Sequence, residues 1–145
     1  MKGNGPFVAS SAEETHALGK TFVQSLPSGS VIAFFGDLGA GKTTFIRGLA
    51  EGIGAINLRT VCSPTFTFLN IYEGNQTVYH FDLYRLPREE EFFAAGFDAY
   101  LQAGGICCIE WAEKIPNALP KHTIKVIFSY LGEESRQIQI TKGSL

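Results

Sequence analysis

Between residues 31 and 53 the hydrophobic period of the chain changes, and no other stretch narrows the possible folds as much. Val31-Ile32-Ala33-Phe34-Phe35 is apolar at every position. Such a run marks a strand covered on both faces, which is the situation of parallel strands flanked by helices. The octapeptide Gly36-Asp37-Leu38-Gly39-Ala40-Gly41-Lys42-Thr43 comes next. Apolar residues then recur at Phe45, Ile46, Leu49 and Ile53, with Gly52 and Gly54 as stops, and that spacing is helical. Strand, glycine loop and helix in direct succession predict an α/β fold built around a parallel sheet.

The octapeptide also carries chemistry. Glycine, four residues, then Gly-Lys-Thr is the pattern of a phosphate-binding loop, and it stands in the strand-to-helix setting the pattern requires. Glycines are needed because several main-chain N–H groups must converge on phosphate, where side chains would block the approach. Lys42 supplies a mobile positive charge, Thr43 a hydroxyl able to ligate Mg²⁺, and the helix behind them its positive amino end. Residues Asp37, Leu38, Gly39, Ala40, Gly41, Lys42, Thr43 and Thr44 are therefore expected to cradle ATP and Mg²⁺.

Such a loop works with acids at the carboxyl ends of neighbouring strands. Thr77-Val78-Tyr79-His80-Phe81-Asp82 and Ile106-Cys107-Cys108-Ile109-Glu110 each end an apolar run in a carboxylate. Of Asp82 and Glu110, one would serve the metal and the other the attacking water. Ser63-Pro64-Thr65, a rigid Pro between hydroxyls, is either a nucleotide-sensing switch or simple turn capping.

Elsewhere, Ser10-Ser11-Ala12-Glu13-Glu14 marks a helix start with a hydroxyl cap and acids in the first turn, and Leu18, Phe22 and Leu26 extend it to about residue 26. Residues 66–72 and 77–82 read as a hairpin around Glu73-Gly74-Asn75-Gln76. Pro87 to Glu91 opens another helix, and a further helical piece spans Phe97 to Gln102. Ile124, Val126, Phe128 and Tyr130 alternate, as do Ile138 and Ile140, predicting an antiparallel C-terminal pair.

Bulk properties exclude several classes. With 145 residues and no linker, positions 1–145 are expected to form one domain. A net charge of −2 offers no general attraction to nucleic acid or anionic lipid. Cys62, Cys107 and Cys108 lack metal-ligand spacing and make a poor disulfide set. Neither a signal peptide nor a membrane span is visible, so a cytoplasmic protein is expected. Cys107, Cys108, His16, His80 and His122 show no ligand pairing in the sequence and are read as structural.

Taken together, Gly36-Asp37-Leu38-Gly39-Ala40-Gly41-Lys42-Thr43-Thr44, Ser63-Pro64-Thr65-Phe66-Thr67, His80-Phe81-Asp82-Leu83-Tyr84-Arg85-Leu86 and Ile109-Glu110-Trp111 resemble the TsaE family in order and spacing. The resemblance runs from about Thr15 to Arg136. It implies a three-layer P-loop sandwich, mainly parallel with antiparallel C-terminal strands. It also implies an ATPase serving threonylcarbamoyladenosine modification of transfer RNA with the proteins TsaD and TsaB, so that tRNA is met only through that complex. By similarity Thr43 and Glu110 would hold Mg²⁺, Asp82 would assist hydrolysis beside Lys42, and Ser63 with Thr65 would read the γ-phosphate. Thr15 and Arg136 fall where the family contacts nucleotide outside the loop. Tyr84, Arg85 and Trp111 match motif positions, either as packing behind the acids or as direct participants. Unlike members with a long C-terminal extension, the chain stops at Leu145, soon after the last predicted strand. Two other functions are compatible with the loop: a small-molecule kinase, against which the scattered Arg59, Arg85 and Arg88 provide no arginine-rich lid, and a nucleotide-gated binding module.

Overall fold

The computed structural model describes residues 5–37, 41–62 and 68–142. Eight strands, β1 (Phe7–Ala9), β2 (Val31–Phe35), β3 (Asn57–Cys62), β4 (Phe68–Glu73), β5 (Thr77–Asp82), β6 (Ile106–Glu110), β7 (Ile124–Tyr130) and β8 (Arg136–Thr141), form one sheet in the order β1-β8-β7-β2-β6-β5-β4-β3. The inner four, β7-β2-β6-β5, are parallel, and antiparallel strands extend them on both sides. Helices α1 (Ala12–Val23) and α2 (Lys42–Gly52) cover one face, whereas α3 (Glu89–Ala94) and a 3₁₀ segment, Phe97–Gln102, cover the other. The three-layer α/β sandwich expected from the sequence is the fold observed.

Local chemistry explains these elements. Ser11 caps α1, its hydroxyl accepting from Glu14 N at 3.1 Å, while the Glu14 carboxylate accepts from Ser10 N at 2.7 Å. Two orphan donors of the helix start are thereby satisfied. The helix ends at Val23, earlier than the apolar pattern suggested, although Leu26 remains buried. Both faces of β2 and β6 are buried, which accounts for their unbroken apolar sequences. Phe22, Phe34, Phe45 and Phe128 then join α1, β2, α2 and β7 through ring pairs 5.6–6.3 Å apart. Phe81, Phe92, Phe97 and Tyr100 do the same beneath α3.

Two strands were not anticipated. β1 is three residues long, and the edge strand β3 is mostly exposed, so neither offers an apolar alternation strong enough to see. The 3₁₀ geometry of Phe97–Gln102 was likewise expected only as a helical piece. No helix among the described residues is long and apolar enough to cross a membrane.

The two helices on the nucleotide-loop side touch backbone to backbone. A Cβ on Gly19 would stand 2.1 Å from Phe45 O, and one on Gly48 would stand 2.0 Å from His16 O. Neither obstacle can swing aside, because both are main-chain atoms. Around this contact His16 pairs with Glu51 at 3.0 Å and Gln24 Nε2 donates to Gly52 O at 2.8 Å. Gly48→Ala is therefore expected to destabilise the fold by about 3 kcal/mol, the upper part of the overpacking range. Gly132→Ala, whose added methyl would meet nothing within 4 Å, should stay within about 0.5 kcal/mol of the parent in urea unfolding.

Candidate functional site

Strand alternation decides which side chains reach the loop. Ile32, Phe34, Val78, Ile106 and Cys108 pack in the cluster beneath α1 and α2. His80, Asp82 and Glu110 share their parity and so leave the sheet on that same face. Parallel pairing sets Asp82 opposite Glu110 and His80 opposite Cys108. The two carboxylates predicted from the sequence therefore stand side by side at the carboxyl edge, next to the amino end of α2.

That helix end is built to receive an anion. Gly41 holds φ at 103°, a left-handed value that side chains rarely tolerate, and no side chain caps the first turn. Among the described residues nothing accepts from the N–H groups of that first turn, which together with the helix dipole suit an anion. Lys42 is 5% exposed, and its ammonium donates to Gly36 O at 2.7 Å while lying 5.1 Å from the Trp111 ring centroid. None of the described ion pairs includes it. Among the described residues its partners are that one carbonyl and the ring face, and a phosphate oxygen would be a stronger partner for its charge than either.

Two cavities meet at this helix end, sharing Gly41 and Thr44. One, of about 260 Å³, is lined by Lys42, Thr43, Asp82, Tyr84, Glu110 and Trp111. The other, of about 300 Å³, is lined by Ala12, Thr15, Glu133, Glu134 and Arg136. Thr15 is buried with its hydroxyl donating to Ser11 O at 3.2 Å. Arg136 stacks over Tyr130 at 4.4 Å and donates from Nη1 to the carbonyls of Gly132, Glu133 and Ser135, bracing the turn that forms the outer wall. Thus Thr15 and Arg136, 121 positions apart by subtraction, are brought to one cavity beside the loop.

On the acid side, Asp82 Oδ1 accepts from Tyr84 N at 3.1 Å, and Leu83 N donates to Glu110 O at 3.2 Å. Lys114 donates to the carbonyls of Tyr84 and Leu86 and so ties residues 82–86 to the 3₁₀ turn Ala112–Lys114. Trp111 takes φ 63°, a rare setting for a bulky residue, and its ring lies 5.1 Å from that of Tyr84. Both aromatics line the cavity, and Arg85 is exposed.

His80, read from the sequence as structural, is nearly buried with its Nε2 2.6 Å from Glu110 Oε2, a contact between two nearly buried side chains that the sequence does not announce. Only the face was legible, since His80 precedes Asp82 by two and must share its side of the sheet. Lys114 was missed for a different reason: it acts on carbonyls that no sequence pattern reveals. Asp37 is exposed beside the loop. Leu38, Gly39, Ala40, Ser63 and Thr65 lie outside the described residues.

Comparison with known proteins fits this geometry. The family model described as "Threonylcarbamoyl adenosine biosynthesis protein TsaE" matches residues 9–138. This chain belongs to the TsaE family. A TsaE protein of Treponema pallidum is 39% identical over 133 residues, covering 92% of this chain and 97% of the relative. Its counterpart in Bacillus subtilis is 41% identical over 130 residues, covering 89% and 80%. Each is named a tRNA threonylcarbamoyladenosine biosynthesis protein. The crystal structure of Bacillus subtilis YdiB superposes with a TM-score of 0.77 at 34% identity, covering 95% of this chain and 84% of that one.

The described residues contain no cluster of three or more His, Cys, Asp and Glu side chains able to hold a metal by themselves. Thr43 and Glu110 nevertheless present the hard oxygen donors that suit Mg²⁺, an ion that usually takes only one or two protein ligands beside phosphate oxygens and water. The donor chemistry therefore fits a cation that arrives with a nucleotide.

Burial pushes the Cys107 thiol up to about 12. Burial also drives Cys108 well above its ordinary value, helped by the neighbouring Cys107 and Glu110. Since only thiolate reacts, neither should be alkylated by iodoacetamide at pH 7.5 in the folded protein, and both should react once it is unfolded. Peptide mass mapping would read the difference.

Proposed function

We propose that this chain binds ATP with Mg²⁺ and hydrolyses it as the energy-coupling subunit of tRNA threonylcarbamoyladenosine synthesis. In this reading it works in the cytoplasm with TsaD and TsaB, and it meets tRNA only through that complex. One observation carries the proposal: the open amino end of α2, Lys42, the Thr43 hydroxyl and two carboxylates converge on one cavity at the carboxyl edge of the parallel strands. The family's association with threonylcarbamoyl adenosine biosynthesis supports the choice of pathway.

The chain's own groups then divide the work. Lys42 exchanges the Gly36 carbonyl for phosphate oxygens, a better partner for its charge. The α2 N–H groups hold the same oxygens through the dipole. Thr43 and Glu110 would hold Mg²⁺, which when bound screens the charge of the outer phosphates. Asp82 orients the attacking water and accepts its proton. Thr15 and the Arg136-braced turn wall the opposite cavity, which receives the nucleoside. Ser63 and Thr65 complete the assignment as the segment that senses the γ-phosphate.

Two variants test this. Lys42→Ala should weaken ATP affinity at least ~100-fold, or about 2.7 kcal/mol, as measured by calorimetry on folded protein; unchanged affinity would overturn the assignment of the loop. Asp82→Asn should keep ATP affinity but lower the rate of partner-stimulated hydrolysis by roughly 10²–10⁴-fold, the usual worth of a general base.

A further inference from the structure

We infer that His80 is a positioning residue that fixes the Glu110 carboxylate for its cation, by donating from Nε2 to Oε2 and leaving Oε1 to face the cavity. This rests on the proposal that Glu110 holds Mg²⁺.

The proton assignment follows from what surrounds the ring. Nδ1 is buried and has no hydrogen-bond partner among the described residues. A proton placed there would lose its hydration with nothing in exchange, whereas one on Nε2 points at a carboxylate oxygen 2.6 Å away. The neutral ring therefore carries its hydrogen on Nε2. Both partners sit on adjacent parallel strands, and their backbones are held by the β5–β6 ladder. Neither can drift, so the bond controls the carboxylate torsions and nothing else.

Geometry gives the bond its purpose. Glu110 is 6% exposed yet lines the cavity that also contains Thr43. Oε2 is occupied by His80, and no hydrogen bond reaches Oε1 among the described residues. A carboxylate with one oxygen restrained and one open is presented to a cation through a single oxygen in a defined orientation. Orienting partners behind a metal ligand typically alter metal affinity by about 10–100-fold.

The test measures Mn²⁺ binding by the loss of its free electron paramagnetic resonance signal, in the presence of a nonhydrolysable ATP analogue. Nucleotide affinity in EDTA is recorded alongside. His80→Leu should weaken Mn²⁺ about 10–100-fold and leave metal-free nucleotide affinity within about two-fold. His80→Gln, whose amide N–H can reach the place of Nε2, should recover most of the loss. His80→Asn, one methylene shorter, should not, and the Asn and Gln pair carries the comparison if the Leu variant does not fold. Wild-type Mn²⁺ affinity in folded His80→Leu, or equal affinity in the Asn and Gln variants, would overturn the inference while Glu110→Gln still lowers affinity. If Glu110→Gln itself leaves Mn²⁺ binding unchanged, the metal role of Glu110 fails and the inference fails with it.

Discussion

Everything at this site depends on the register between β5 and β6. Parallel pairing brings Asp82 opposite Glu110, and the two-residue period of a strand sends both side chains toward α2. A slip of one residue in either strand would turn its acid to the α3 side, toward the apolar cluster that contains Phe92 and Phe97. The apolar alternation that encodes the core thus encodes the chemistry as well. Covering the sheet on both faces is what makes that register hard to lose.

The opposing charge is arranged by a different device. Lys42 starts a helix and is kept almost out of water, with a main-chain carbonyl and an indole face in place of an acid. A carboxylate placed against it would satisfy it too well, since any incoming anion would then have to displace a full ion pair. The acids instead sit across the cavity and are occupied separately, Glu110 by His80 and Asp82 by the Tyr84 amide. Each group is held, but none is neutralised by its eventual neighbour.

Much of this was legible in the sequence, and the exceptions have physical causes. Val31–Phe35 and Ile106–Glu110 declared themselves because burial on both faces demands an unbroken apolar run. The glycine loop stood out because its three glycines and Lys42 keep the spacing that main-chain binding of an anion would require. By contrast, β3 was invisible because an exposed edge strand has no face to bury. The partner of His80 was hidden because a histidine in an apolar strand looks alike whether its ring meets a carbonyl, a carboxylate or a wall of leucines. Lys114 could not be found at all, since its partners are the carbonyls of Tyr84 and Leu86. The pairing of Thr15 with Arg136 at one cavity came only from family resemblance; nothing in their local sequences links them.

The bare contact between α1 and α2 has a mechanical meaning. Thr15 rides on α1 and Lys42 and Thr43 ride on α2, while Gly19 and Gly48 let the two main chains touch without cushioning side chains. Flexible side chains would have given the pair some play; peptide planes in direct contact give almost none. The setting of one cavity against the other is therefore fixed through main-chain contact between the helices, like the jaws of a caliper, and it depends on two missing methyl groups.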